Sequence, residues 1–342
     1  MNSKMQWLRN KLSSMNLQGM IVSNPVNIQY LTNLQAEGIL VLTRKDNIYI
    51  TDGRYIEYVN KTLTIFDEIT VYDAKDLSLD DYENFFLFCE NVGFEENYLT
   101  YAKYKEYIRK FKINNFVETE EIIEKQRTIK DEEEIKNIQQ ACQITRDCFE
   151  YIKPFLKPGS TEKQVARLID DYYYKNSDGP SFETIVASGE NSSKPHAIPT
   201  DRKFTEQDII TIDMGCKYNG YCSDMTRTFF IGEPTEKQKQ VYNLVQKNHK
   251  QTIDAIKEGA NIKQLAKMVE NDFKLNGYDL IHSLGHGVGL EIHEKPYLSG
   301  RVDAPLRENM IVTVEPGIYI PGEFGVRIED TILVEKGGAR KL

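Results

Sequence analysis

One segment constrains the fold more than any other: residues 209–231, IITIDMGCKYNGYCSDMTRTFFI. Asn219-Gly220 between two β-prone runs is the signature of a two-residue hairpin turn of the primed type, which needs positive φ at both central residues. Pairing Tyr218 with Tyr221 sets Asp213 opposite Thr226 and leaves Asp224 two residues along on the same face. The two aspartates become diagonal neighbours, about 7–8 Å apart at the backbone. Cys216 and Cys222 fall on opposite faces in this register, which argues against a disulfide between them. Taken alone, two acids on one face fit a solvent-facing surface as well as a site.

A second acid-bearing region shifts that balance. A strand expected over Met310 to Glu315 ends in Glu315-Pro316-Gly317, where Glu315 interrupts the apolar run IVTVEP. In the strand expected over Gly325 to Glu335, alternation groups Arg327, Glu329 and Thr331 on one side and Val326, Ile328 and Asp330 on the other. A lone buried acid is costly, and metal coordination offsets that cost. The five histidines point the same way. His196 lies in SSKPHAIPTD, while His282, His286 and His293 crowd into the glycine-rich HSLGHGVGLEIHE; His249 reads as an ordinary core histidine. Gly285, Gly287 and Gly289 space as G-x-G-x-G without a strand–turn–helix context, so they do not make a dinucleotide fingerprint. They read instead as residues that let the backbone pass close to a metal centre.

Two Asp, two Glu and one His form an oxygen-rich set without the thiolates of a structural zinc site or the H-E-x-x-H pattern. Hard oxygen ligands with one imidazole suit Mn²⁺, with Co²⁺, Zn²⁺ or Fe²⁺ able to stand in for it. Four carboxylates, some bridging, are enough for two ions about 3.5–4 Å apart, a pair that can activate water and polarise a carbonyl.

The hairpin DMG…SDMTRTF, the loop HSLGHGVGLEIHE, the strand end VEPGIY and the strand GVRIEDT resemble the proline-specific metallopeptidases of the pita-bread fold: aminopeptidase P, prolidase, methionine aminopeptidase and creatinase. NPVNIQYLTNL and TDGRYIE resemble the N-terminal domain that aminopeptidase P, prolidase and creatinase share, so the likeness spans nearly the whole chain. The resemblance implies metal ligands at Asp213, Asp224, His286, Glu315 and Glu329, with Glu315 also accepting a proton from the attacking water. It implies substrate-contacting roles for His196, His282 and His293. Arg327 would orient the site, paired with Asp224 or a substrate carboxylate, and Tyr221 would stand near the metals. The implied activity is cleavage of Xaa-Pro bonds in peptides with proline second, by an Xaa-Pro aminopeptidase; the alternative is a prolidase acting on Xaa-Pro dipeptides. A metal-free creatinase-like C–N hydrolase and a non-catalytic binding relative are disfavoured by the complete acidic set. A homodimer is the expected assembly.

The remaining sequence fits this frame. With 43 Lys and Arg against 52 Asp and Glu, the net charge of −9 argues against a nucleic-acid partner. The longest apolar runs are strand-sized, far short of a membrane span. MNSKMQWLRNKL lacks the apolar stretch of a secretory signal and reads as an amphipathic helix through Leu8, Leu12 and Met15. Five cysteines without framework spacing suggest reduced thiols in a cytoplasmic protein. No internal repeat or low-complexity tract stands out. We expect an α+β chain: a smaller α/β creatinase-like domain over 1–120 and a pita-bread catalytic domain over 121–342. The first domain holds strands at Gly38 to Thr43 and Asn47 to Thr51, and helices at Asp52 to Lys61 and Tyr98 to Phe111. The charged stretch ETEEIIEKQRTIKDEEE reads as a solvated helical linker. It leads into a helix built on Ile135, Ile138, Cys142, Thr145, Phe149 and Ile152, and Pro154, Pro158 and Gly159 end that helix. Further helices are expected at 161–175, 235–257 and 262–276, and strands at Asp208 to Met214 and Tyr221 to Ile231, with mostly antiparallel neighbours.

Overall fold

The computed structural model describes residues 3–63 and 68–342. The chain divides into two compact units, Met1–Arg127 and Thr128–Leu342. In the first unit, helices α1 (Ser3–Ser14), α2 (Pro25–Thr32), α3 (Ile56–Thr62), α4 (Leu79–Phe85), α5 (Tyr101–Lys110) and α6 (Ile122–Arg127) accompany six strands. The strands are β1 (Gly19–Val22), β2 (Ile39–Thr43), β3 (Asn47–Thr51), β4 (Ile69–Asp73), β5 (Asn91–Phe94) and β6 (Asn115–Glu118). They form one mixed sheet in the order β4-β3-β2-β1-β5-β6. Leu8 and Leu12 of α1 are buried as expected, but Met5 rather than Met15 completes the stripe. The charged stretch is not a solvated linker. Ile122, Ile123 and Arg127 of α6 are buried, and the Arg127 guanidinium donates to Asn27 Oδ1 at 2.9 Å. Charge density along the sequence hid an apolar pair that docks the helix.

The second unit contains α7 (Glu132–Ile152), α8 (Glu162–Asn176), β7 (Ile185–Ser188), β8 (Asp208–Met214), β9 (Lys217–Tyr218), β10 (Tyr221–Cys222), β11 (Met225–Ile231), α9 (Glu236–Ala255) and α10 (Ile262–Leu275). Strands β12 (Gly285–Gly287), β13 (Glu294–Leu298), β14 (Ile311–Val314), β15 (Gly317–Ile320), β16 (Phe324–Arg327), β17 (Asp330–Glu335) and β18 (Gly338–Lys341) follow. Every strand pairing in this unit is antiparallel: sheets β11-β8-β7 and β13-β12-β14-β17-β18, and hairpins β9-β10 and β15-β16. Apolar faces of α7 and α8 cover one sheet, and those of α9 and α10 cover the other. A fully buried Val, Leu or Ile side chain stabilises by roughly 1.5–3 kcal/mol, so these two clusters form the platform that holds the site.

An internal repeat does exist, at the level of geometry. Gly159 and Gly259 take positive φ, and Thr161 and Asn261 cap α8 and α10 through Gln164 and Gln264. Val165, Ala166, Ile169 and Tyr173 are then buried, as are Leu265, Ala266, Val269 and Phe273. What recurs is turn, cap and apolar stripe, with a few identities 100 residues apart (Gly159 and Gly259, Lys163 and Lys263, Gln164 and Gln264, Ala166 and Ala266), too sparse to stand out on direct reading of the sequence. Among the described residues no helix is long and apolar enough to cross a membrane. All five cysteines are free thiols.

Candidate metal centre

The hairpin folds in the expected register. Tyr221 pairs with Tyr218, Cys222 with Lys217, Met225 with Met214 and Thr226 with Asp213. The long strand expected from Tyr221 is interrupted, however, and Asp224 occupies the gap between β10 and β11. The strand expected from Gly325 is likewise broken, with Glu329 between β16 and β17, and Glu315 lies just past the end of β14. Side chains at such gaps can turn away from the strict in–out alternation of a paired strand.

Asp213, Asp224, His286, Glu315 and Glu329 all line one pocket of about 450 Å³. Ligand atoms of Asp224, His286 and Glu329 lie within 4.8 Å of one another. His286 Nε2 is 3.6 Å from Asp224 Oδ2 and 3.2 Å from Glu315 Oε1. His286 Nδ1 lies 3.1 Å from the Gly287 carbonyl, the bond that fixes the tautomer and leaves Nε2 facing the acids. The Glu329 carboxylate accepts from Thr226 Oγ1 at 2.7 Å, while the Arg227 guanidinium holds its backbone carbonyl at 2.5 Å.

The residues fit a cation. Asp213 Oδ1 and Glu329 Oε1 are buried without a hydrogen-bond partner, an arrangement that a metal ion would satisfy. Burial, then the charges of the neighbouring carboxylates, push Asp224 and Glu329 well above the usual acid range. Burial also acts to raise Glu315, but the hydrogen bond and charge of His286, with His282 and Arg327, outweigh it and hold Glu315 low. Four carboxylates facing one guanidinium leave negative charge that bound cations would balance.

Arg327 pairs with Asp213, not Asp224: Nη2 to Oδ2 is 2.7 Å. Its Nε donates to Thr226 Oγ1 at 3.0 Å, and Nη1 donates to Tyr319 Oη at 2.7 Å and the Pro195 carbonyl at 3.2 Å. Tyr319, absent from the sequence reading, is the link to the histidines, because its oxygen lies 3.1 Å from His282 Nε2. Burial pushes its hydroxyl up to about 12, so it stays protonated. His282 Nδ1 meets the Ser283 carbonyl at 2.8 Å, so both ring nitrogens of His282 are engaged within the protein. His196 and His293 are instead exposed at the pocket, with His293 packed edge-on against His286 at 4.4 Å between ring centres. Glu294, next to His293, pairs with the buried Lys130 at 2.7 Å. Tyr221 is not at the site: it lies outside the pocket lining, with its hydroxyl 3.2 Å from Glu134 Oε1. Tyr319 could have been found from the turn at Pro321-Gly322, since pairing Gly317 with Arg327 makes Tyr319 a diagonal neighbour of Arg327. His249 is buried, 3.2 Å from Asp330, and stands away from the pocket.

The glycines serve close packing between strands. A Cβ on Gly285 would sit 2.0 Å from the Thr313 carbonyl oxygen, and one on Gly287 would sit 2.2 Å from that of Lys295. Metal proximity, the expected reason, is a consequence: tight strand contact seats His286 between them.

Residues 136–336 match metallopeptidase family M24, and residues 4–129 match the creatinase/prolidase N-terminal domain. The chain is 37% identical to an uncharacterised peptidase of Bacillus subtilis, over 99% of this chain and 97% of the relative. It is 33% identical to an Xaa-Pro dipeptidase of Pyrococcus furiosus, covering 100% and 98%. Among solved structures, an Xaa-Pro dipeptidase from Bacillus anthracis superposes with a TM-score of 0.92 at 36% identity, covering 99% and 96%. An X-Pro aminopeptidase from Thermotoga maritima superposes at 0.88 and 30%, covering 97% of each chain. Sequence motifs, fold and these full-length likenesses agree, and the chain belongs to metallopeptidase family M24, a hydrolase with a creatinase-type N-terminal domain and a pita-bread catalytic domain.

Proposed function

We propose that the protein is an Xaa-Pro dipeptidase that works with two divalent ions, Mn²⁺ by the chemistry of its donors, and splits Xaa-Pro dipeptides. The observation that carries the reading is the cluster of four carboxylates and one imidazole at a pocket of about 450 Å³, with two buried carboxylate oxygens left unpartnered. The sequence motifs serve either activity, and the reading from sequence puts the aminopeptidase first. The names of the relatives favour the dipeptidase, since two Pyrococcus proteins at 33% identity over the whole chain carry it. The Thermotoga maritima structure supports the aminopeptidase as the second reading.

When bound, the ions supply Lewis-acid polarisation of the scissile carbonyl and lower the pKa of water. Glu315, held low by His286, accepts the proton released as water attacks. His293 and His196 line the pocket, and their role in this reading is to donate to the carbonyl oxygen as it gains charge and to the substrate's carboxylate end. Arg327, through Asp213 and Tyr319, keeps this wall in place. An Xaa-Pro bond has no N–H to pair with an extended strand. Recognition therefore falls on the carbonyl and on the apolar surfaces of Phe182, Ile292 and Tyr297.

The test is hydrolysis of Gly-Pro and of a Gly-Pro-Yaa tripeptide by chelator-stripped protein, before and after addition of Mn²⁺, with Asp224→Asn alongside. Metal-restored cleavage of Gly-Pro, abolished in the variant, is expected. Preference for the tripeptide would replace the dipeptidase by the aminopeptidase, and cleavage of neither by folded, metal-loaded protein would sink both.

A further inference from the structure

The connection from β7 to β8 reaches the pocket with His196 and Ile198, yet a side chain outside the pocket sets its conformation. Glu162, in the first turn of α8, is fully buried. Its Oε1 accepts from the backbone N–H and the hydroxyl of Ser188, both at 2.7 Å. Its Oε2 accepts from the N–H and hydroxyl of Thr200, at 2.8 and 2.6 Å, and from Asn191 Nδ2 at 3.0 Å. Ser188 and Thr200 are the two ends of the segment that carries His196, so one carboxylate pins both. Asn191 extends the restraint by also donating to the Ile198 carbonyl at 3.3 Å. Midway, Ser192 Oγ accepts from the Gly325 N–H at 2.9 Å and the Pro195 carbonyl accepts from Arg327. Held at these points, the segment presents His196 at its exposed turn.

The helix does not need an acid there. In the repeated half, Ile262 takes the corresponding position directly after the cap of α10 and is 1% exposed. An apolar residue therefore satisfies the same cap, the same helix and the same depth of burial. Burying a carboxylate instead is costly unless hydrogen bonds compensate, and five donors do. What the acid adds over an isoleucine is the attachment of 188–200.

We infer that Glu162 is a positioning residue: its carboxylate ties together both ends of segment 188–200 and so holds His196 in register with the substrate. The inference rests on the reading of the pocket as the peptide site. Small displacements of a positioned group cost up to about 100-fold in rate, so Glu162→Gln, which turns one acceptor into a donor facing donors, is expected to lower kcat/KM by about 10- to 100-fold. Mn²⁺ content should stay at the wild-type level, because no ligand is touched. Two readouts separate positioning from general damage. In a His196→Ala background, Glu162→Gln should cost less than about 2-fold more, because the two act through one group. Amide exchange at Ser188 and Thr200 should accelerate while α9 and α10 keep their protection.

Thr200→Val, at an exposed position, removes the hydroxyl that donates to Glu162 and accepts from the Arg202 N–H, and should give a smaller change of the same kind; it decides the matter if Glu162→Gln does not fold. Full additivity with His196→Ala, or unchanged exchange in 188–200, overturns the inference. Exchange is read without turnover, so a wild-type protein that cleaves no Xaa-Pro peptide would defeat the functional reading while leaving this one testable.

Discussion

Tyr319 and Tyr221 separate what a motif suggests from what contacts decide. Tyr319 Oη receives Arg327 Nη1 at 2.7 Å and faces His282 Nε2 at 3.1 Å, so it joins the guanidinium on Asp213 to a pocket histidine. Tyr221 reaches Glu134 and lines no part of the pocket. A buried hydrogen bond contributes about 0.5–1.5 kcal/mol net, and more when charged. Tyr319→Phe is therefore expected to lower kcat/KM by about 10-fold with metal content unchanged. Tyr221→Phe should leave kinetics near wild type. Steady-state assays of the two variants on one peptide check both, and an equal loss in each would refute the assignment. The acids and histidines were legible because their chemistry singles them out against a largely apolar background. A tyrosine was not, since tyrosine serves cores and sites alike and only the register of β15 with β16 distinguishes them.

At the scale of elements, the hairpin register was readable because Asn219-Gly220 and the apolar pattern fix it from both ends. The gaps at Asp224 and Glu329 were not readable. Alternation predicts a continuous strand, whereas partners across the sheet decide where pairing stops. Glycine-dependent packing is equally hidden, because it depends on which backbone arrives opposite. Gly285 meets Thr313, and Thr313 Oγ1 accepts from the His286 N–H at 3.0 Å and donates to Glu315 Oε1 at 3.3 Å. Gly285→Ala would thus separate the two strands that carry His286 and Glu315. Overpacking costs typically 1–3 kcal/mol, so a loss of about that size is expected in denaturant melts, together with weaker Mn²⁺ binding by titration. A variant with reduced stability but wild-type metal affinity would show that the glycine serves packing alone.

For the whole molecule, the second unit gathers the four acidic side chains of the ligand set at one pocket. Burial first, then neighbouring carboxylates, raise Asp224 and Glu329, so the folded, metal-stripped protein gives up these protons at higher pH than the unfolded chain does. Their contribution to stability is complete in acid and declines as pH rises through the folded-state values. Ions in the site would replace those protons and remove the decline, stabilising by mass action. The melting temperature gained on adding Mn²⁺ to stripped protein should therefore widen as pH rises from the ordinary carboxylate range through the folded-state values of the two acids. Glu315 runs the other way, and what it contributes is lost only as pH falls through the carboxylate range. Glu95 in the first unit, raised by burial to about 7, adds a decline of its own near neutrality. It is not among the five ligand residues and does not line their pocket, so it moves stripped and loaded protein alike and cancels in the difference. Residues up to Arg127 contribute none of the five ligands, so only the calorimetric transition of Thr128–Leu342 should move with Mn²⁺. A gap that stays constant with pH would mean that the two acids are already neutralised by the protein itself, and the case for cations at this cluster would fall with it.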